Sequence, residues 1–294
     1  MKKSWMIIGC LLFALLAVAA ILITIPVIKD MRAETTKLEL VDYIYSSQRL
    51  PDEFSGFRIA QIADLHNTEF GSGNQQLLQA LAESEPDMIV FTGDTIDSRQ
   101  LDLDVAINFA AGAVKIAPCY FVNGNHEASI IERVYFHEQL RGLGVVVLED
   151  EKLLLEHEGA QITLLGLDHP SLSSDYFNLG FNGVIEKVLS ELNEDTQGFT
   201  LLLAHHPECI NIYADKQIDL VLSGHTHGGQ IRLKRLGALV APGQGLFPKY
   251  DRGVFREDNT TLIVSSGLGN SKVPLRYNNP PELVLIELKK GETQ

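Results

Sequence analysis

Asp64, His66, Asp94, Asn125, His126, His205, His225 and His227 are the side chains in this sequence whose types and spacing suit chemistry. They sit in five short motifs: Asp64-Leu65-His66, Gly93-Asp94, Gly124-Asn125-His126-Glu127, Ala204-His205 and Gly224-His225-Thr226-His227. Carboxylate oxygens, imidazole nitrogens and one amide oxygen suit divalent metals with mixed ligation, and no thiolate accompanies them. Asp64 and His66, two positions apart, can grip one ion from a single loop. Asp94 has two oxygens and can bridge two ions, and Gly93 before it lets the backbone approach a metal closely. His225 and His227 flank Thr226 and point in similar directions in an extended loop. Two ions about 3.5–4 Å apart share a water, lower its pKa and clamp the attacking and leaving oxygens of an in-line displacement. That geometry suits phosphoryl transfer, where positioning and charge neutralisation do most of the catalysis. His126 is placed to protonate a leaving oxygen, with Glu127 as a carboxylate to orient it.

Each motif follows a short run rich in Ile, Val, Leu and Phe: 57–63, 88–92, 119–122, 200–203 and 219–223. These runs read as buried strands. Strands leaving one sheet side by side bring their C-terminal residues to one rim, where ligands bind in open α/β sheets. Any one motif alone reads as a turn or a helix cap; the ordered set of five points to a metal site. A zinc-protease reading of His126-Glu127 fails, because the second histidine of HExxH would fall at Ile130. Helical spacing covers 74–83, 101–115, 129–140 (ended by Gly142) and 181–192. Further strands are expected at 38–44, 145–148, 152–156, 161–167, 229–233, 261–265 and 283–288, with a turn at Glu158-Gly159. Alternating strands and helices followed by several short strands predict an α/β fold, a four-layer αββα sandwich of two mixed sheets.

The chain has 294 residues, 45% of them hydrophobic, and a formal charge of −14. The acidity argues against a nucleic-acid duplex or an anionic lipid surface as partner for the body of the domain. Cys10, Cys119 and Cys209 show no metal-ligand spacing. A Cys119–Cys209 disulfide is open to an oxidising compartment, but two buried small hydrophobes is the favoured reading. Residues 5–28 carry no charged side chain, a run longer than the roughly 20 residues that span a bilayer. Ala17-Val18-Ala19 offers a signal-peptide cleavage site, yet the apolar run continues to residue 28, which fits a retained anchor better. Lys2 and Lys3 precede the run, Lys29 and Arg32 follow it, and the short N-terminal tail is expected to stay in the cytoplasm with the catalytic domain outside. The expected organisation is therefore a transmembrane anchor with its flanks over 1–32, a connector with an edge strand over 33–56, and one catalytic domain over 57–294.

The motifs resemble those of the calcineurin-like metallophosphoesterase superfamily: Asp-x-His, Gly-Asp, Gly-Asn-His-Asp/Glu, His and Gly-His-x-His. The resemblance implies that Asp64, His66, Asp94 and His227 bind one metal, that Asp94, Asn125, His205 and His225 bind the other, and that His126 is the catalytic histidine. It extends over 224–233, 237–242, Ser266-Gly267-Leu268-Gly269, 274–276 and Pro281-Glu282, stretches that look like a membrane-anchored or exported bacterial branch, similar to the UDP-2,3-diacylglucosamine pyrophosphohydrolase-like members. Purple acid phosphatases carry a tyrosine ligand where this chain has Asp97, so a tyrosinate-bound ferric iron is not expected. Serine/threonine protein phosphatases have Asp-Arg-Gly where Asp97-Ser98-Arg99 stands, and an arginine where Ser129 falls, so their phosphate-clamping arginines are not matched.

The resulting expectation is a hydrolase that uses two divalent ions (Mn²⁺, Fe²⁺ or Zn²⁺). It would cleave a phosphodiester or pyrophosphate by a metal-bridging hydroxide, on a lipid-linked or envelope substrate. A phosphomonoesterase and a non-catalytic metal-binding scaffold are the alternatives. Beyond the motifs, His206 is expected at the rim rather than as a ligand. Asp168-His169-Pro170 reads as substrate entrance or surface turn, and His137 and His157 as surface residues. Arg232 and Arg276 read as phosphate contacts or members of a solvated strand face. Phe247, Tyr250 and Phe255 read as an acyl-chain contact or as packing over a sheet edge.

Overall fold

A computed structural model describes Phe13 and residues 24–291. Sixteen strands in it are set largely by the buried runs. In the first sheet, β2 (Arg58–Ile62), β3 (Met88–Thr92), β4 (Cys119–Val122) and the short β5 (Val146–Val147) run parallel. Beyond β2 the sheet continues with β16 (Glu282–Lys290), antiparallel to it, and β1 (Glu39–Ser47), parallel to β16, so the order is β1-β16-β2-β3-β4-β5. The second sheet has the order β14-β15-β9-β8-β7-β6, from β6 (Glu151–His157), β7 (Ala160–Gly166), β8 (Thr200–Leu203), β9 (Leu220–Ser223), β14 (Gly253–Glu257) and β15 (Thr260–Val264). Its four inner strands are parallel and its two edges antiparallel.

The period-2 alternation of side chains divides each strand between two cores. Ile59, Met88, Val90, Tyr120 and Val122 face the second sheet and pack with its Leu164, Leu201, Leu203, Leu220 and Leu222. Ala60, Ile62, Ile89, Phe91 and Phe121 face the other way, onto α1 (Gln75–Glu83), α2 (Leu103–Ala113) and α3 (Arg133–Leu143). Leu202, Val221, Leu262 and Val264 face α4 (Tyr176–Leu192) and α5 (Ile210–Asp215). Two mixed sheets thus lie face to face with helices on both outer faces. Cys119 and Cys209 are free and buried in the two opposite outer cores, which excludes a disulfide between them.

Several elements differ from the sequence reading. The third helix runs through Gly142 to Leu143 and stops at Gly144, whose φ of 97° supplies the left-handed cap. Residues 229–233 are not one strand. Gly228, Gly229 and Gln230 have φ of 56°, 72° and 53° and break the extended run. Only β10 (Arg232–Leu233) remains, as a ribbon with β11 (Gly237–Ala238), followed by a second ribbon of β12 (Val240–Ala241) and β13 (Gly245–Leu246). The fourth helix starts early, at Tyr176, with a break at Gly180. Residues 24–35 are helical. No helix among the described residues is long and apolar enough to cross a membrane, and the expected span, 5–28, lies for the most part outside them.

Candidate metal centre

Asp64, Asp94, Asn125, His205 and His225 each follow the C-terminal end of a strand, β2, β3, β4, β8 and β9 respectively. Both sheets therefore empty onto one end of the sandwich. The chain reverses there through sparsely populated backbone: φ is 49° at Asp64, 44° at His66, 53° at Asp94, 72° at His225 and 50° at His227. Left-handed geometry is costly for residues with a Cβ and is held only where surroundings enforce it. Two glycines make the enforcement possible. A Cβ on Gly93 would stand 2.6 Å from Nδ1 of His205, and one on Gly124 would overlap the carboxylate of Asp94.

The donor atoms converge in two groups that share Asp94. Nε2 of His66 lies 3.1 Å from Nε2 of His227 and 3.6 Å from Oδ2 of Asp94, and Oδ1 of Asp64 is 3.8 Å from Nε2 of His227. On the other side, Nε2 of His205 lies 3.2 Å from Oδ2 of Asp94, 3.2 Å from Nδ1 of His225 and 3.3 Å from Oδ1 of Asn125. The outer ring nitrogens fix the tautomers. Nδ1 of His205 donates to the Thr92 carbonyl at 2.8 Å, and Nδ1 of His227 faces the Gly269 carbonyl at 3.4 Å, which turns Nε2 of each ring inward. Both carboxylates are held as well: the two oxygens of Asp64 accept the His225 N–H at 3.0 Å, and Oδ1 of Asp94 accepts the His126 N–H at 2.8 Å. Ring nitrogens crowded around a buried carboxylate fit divalent cations, and the N/O donor set fits the borderline metals.

Burial dominates the electrostatics. It lowers His66 to about 4 and carries His225 and His227 well below the ordinary imidazole range, so all three rings are neutral near pH 7. Burial raises Asp64 to about 7 against the charge of His205. For Asp94 burial pushes up, but the charge and hydrogen bond of His205, with His66, hold it well below the usual carboxylate range. Burial alone would lower His205; the adjacent Asp94 outweighs it and raises the ring to about 10.

The structure assigns Glu127 a different place from that expected. It does not orient His126. It is fully buried and accepts the backbone N–H groups of Asp94, Thr95, Ile96 and Gly124 at 2.8, 2.7, 3.2 and 2.8 Å. His126 is held by Ser98, with the Asp97 carboxylate beside it, and sequence reasoning missed both. Its Nδ1 accepts the Ser98 N–H at 3.0 Å, with the Ser98 hydroxyl at 3.1 Å and Oδ1 of Asp97 at 3.4 Å. The spacing of Asp97, three residues past Asp94, was the available signal.

Several other expectations are corrected. His206 is buried rather than at a rim, with Nδ1 3.1 Å from Oε1 of Glu208 and its ring 4.3 Å from that of His225. His169 packs its ring on His206 and Phe181, while Asp168 accepts from Nδ2 of Asn123 at 2.7 Å. His137 is buried rather than on the surface and pairs with Oδ1 of Asn123 at 2.8 Å, buttressing the end of β4; His157 packs on Phe54 and Phe57. Arg232 pairs with Asp251 at 2.6 Å and with the Gly228 carbonyl at 3.1 Å. Arg276 is neither solvated nor open to a phosphate. It is fully buried and donates to the carbonyls of Ser266 and Gly267 at 3.0 Å each, and to that of Gly269, so it staples the loop that wraps Asp64. Tyr250 packs on Phe255 in the outer core, whereas Phe247 is exposed.

Two mixed sheets with this convergence define a metallophosphoesterase, and the chain belongs to the calcineurin-like phosphoesterase family, whose model matches residues 57–229. Among its relatives, the uncharacterized metallophosphoesterase YkuE of Bacillus subtilis is 28% identical over 265 residues, covering 87% of each chain. The phosphodiesterase YaeI of Escherichia coli K12 is 28% identical over 248 residues, covering 81% of this chain and 84% of YaeI. A transmembrane protein with metallophosphoesterase domain of Danio rerio is 28% identical over 263 residues, 86% of this chain and 58% of that protein.

Proposed function

We propose that the chain is a two-metal phosphodiesterase whose catalytic domain, 57–294, works outside the cytoplasmic membrane, held there by residues 5–28 through the connector 33–56. Asp64, His66, Asp94 and His227 would hold one divalent ion; Asp94, Asn125, His205 and His225 would hold the other. The observation that carries this reading is the pair of facing ring nitrogens on each side of Asp94, 3.1 Å apart for His66 and His227 and 3.2 Å apart for His205 and His225. Bound ions of this kind (Mn²⁺, Fe²⁺ or Zn²⁺) would neutralise phosphoryl charge and lower the pKa of a shared water. His126 supplies the leaving-group proton. The Ser98 N–H on Nδ1 leaves its proton on Nε2, and burial lowers its pKa despite Asp94 and Asp97.

The substrate class is a phosphodiester or pyrophosphate, lipid-linked or part of the envelope. The uncharged stretch 5–28 and the name of the Danio rerio relative support the membrane assignment, and the name of YaeI supports the diester. The test is hydrolysis of bis(p-nitrophenyl) phosphate and p-nitrophenyl phosphate by the full chain with Mn²⁺, before and after EDTA. EDTA-sensitive turnover that favours the diester is expected. Absence of metal-dependent turnover on either ester overturns the enzyme reading, and preference for the monoester replaces it with a phosphomonoesterase.

A further inference from the structure

Beside the metal ligands lies a cavity of about 440 Å³ that the chemistry above does not use. Its volume falls within the roughly 300–1,000 Å³ of small-molecule sites. Its lining is mostly apolar, from Ile231, Leu239, Val240, Ala241, Pro242 and Val273, and it reaches His227. A phosphoester held at the metal centre therefore has hydrocarbon-like surface within reach and no need of it for the reaction itself.

The ribbons β10–β11 and β12–β13 that supply much of this lining also leave Leu236, Leu246 and Phe247 exposed, by 64%, 76% and 60%. Leu246 and Phe247 are adjacent in the chain, and large apolar side chains exposed together mark interaction sites. Lys234 and Arg235 precede Leu236 in the chain, and Lys272 lines the cavity itself, in a chain whose net charge is −14. Apolar tips flanked by cations suit a bilayer interface, so this face departs from the acidity of the body as a whole. The cavity is also fastened to the N-terminal segment. Ser271, Lys272 and Val273 line it. A few residues further along the same loop, Arg276 N–H donates to Oγ1 of Thr35 at 2.9 Å, and the N–H groups of Asn278 and Asn279 donate to the Glu34 carboxylate at 2.8 and 2.6 Å. Nδ2 of Asn279 in turn donates to the His227 carbonyl at 2.7 Å. The helix over 24–35, which overlaps the uncharged stretch, thus grips the loop that forms one wall of the cavity.

We propose that this cavity is an acyl-chain subsite. It holds the hydrocarbon tail of an amphiphilic phosphoester whose phosphorus lies at the metal centre, drawn from a lipid surface that Leu236, Leu246 and Phe247 contact. The assignment rests on the two-metal reading above.

The test uses p-nitrophenyl alkyl phosphodiesters, from methyl to hexadecyl, with the full chain in nanodiscs. kcat/KM should rise with alkyl length, by up to about fourfold per methylene, until the cavity is filled. Val240 and Val273 are 52% and 46% exposed, so a V240D/V273D variant should fold. Its ratio of hexadecyl to methyl turnover should fall at least about tenfold, the loss of a few buried methylenes. A length preference that survives in the variant would come from bilayer partitioning alone and overturns the subsite, as does a wild type indifferent to length. A second readout needs no turnover. A hexadecyl phosphate with a diazirine in its chain, photolysed in EDTA, should label peptides containing 239–242 or 271–273. Labelling confined to other peptides overturns the subsite. Labelling there without turnover of any ester leaves the subsite standing and sinks the two-metal reading.

Discussion

Ser98 donates its backbone N–H to Nδ1 of His126 at 3.0 Å, and a backbone donor cannot reverse its role. The His126 proton therefore sits on Nε2, the nitrogen free to face a substrate oxygen. Changing His126 to Ala should spare metal content, measured by elemental analysis, and cut kcat by about 10²–10⁴; metals lost along with activity would make it a ligand instead. D97N should give a smaller loss of the same kind, in kcat rather than KM, because the Asp97 carboxylate 3.4 Å from Nδ1 favours the protonated ring. At this scale the sequence was legible where side-chain type alone decides. Asp, His and Asn at strand ends signalled a donor cluster, and the structure brings these residues together. Adjacency proved a poor guide: Glu127 stands next to His126 in the chain, yet its side chain turns back to cap Asp94, Thr95, Ile96 and Gly124. Nothing in the residue type says which way a loop will turn it.

Glu127 joins two elements, since its donors come from the loop after β3 and the loop after β4. A carboxylate accepts all four N–H groups; an amide has an NH₂ where acceptors are needed. E127Q should therefore cost about 1–3 kcal/mol or more in denaturant unfolding and weaken metal binding at Asp94. An unchanged midpoint would show that the four bonds do not hold the loops. Arg276 plays the corresponding part for the loop 266–269, and its sequence context, after Pro274 and Leu275, gave no sign of burial. Strands were legible because their runs are apolar and bounded. The stretch 229–233 misled because its apolar and polar residues alternate like a strand, while left-handed backbone at Gly228, Gly229 and Gln230 carries it into a turn. The third helix overran Gly142 because a glycine ends a helix only where the chain needs positive φ, and that place is Gly144.

Across the whole molecule, one end of the sandwich concentrates buried charge. In the metal-free protein Asp64, raised to about 7, and His205, raised to about 10, both hold protons near neutral pH. Divalent ions must displace those protons. Metal affinity should therefore rise as pH goes from 6 to 8, and binding heats should vary with the ionisation enthalpy of the buffer. A flat affinity and a buffer-independent heat by calorimetry would contradict this. The layered α/β architecture was legible from alternating elements, since two packed sheets are the economical way to bury so many apolar runs. The strand order was not legible, because β16 pairs with β1 and β2 from more than 200 positions away, and period-2 patterning is silent about partners. That placement has a consequence for biogenesis. β1 follows directly on the helix over 24–35, yet among the described residues its only neighbour in the sheet is β16. During synthesis β1 leaves the ribosome early and waits, an unpaired sticky edge, until β16 has been made. The sheet carrying Asp64 and Asp94 is closed only by β16, so the nascent chain must be shielded until that strand arrives.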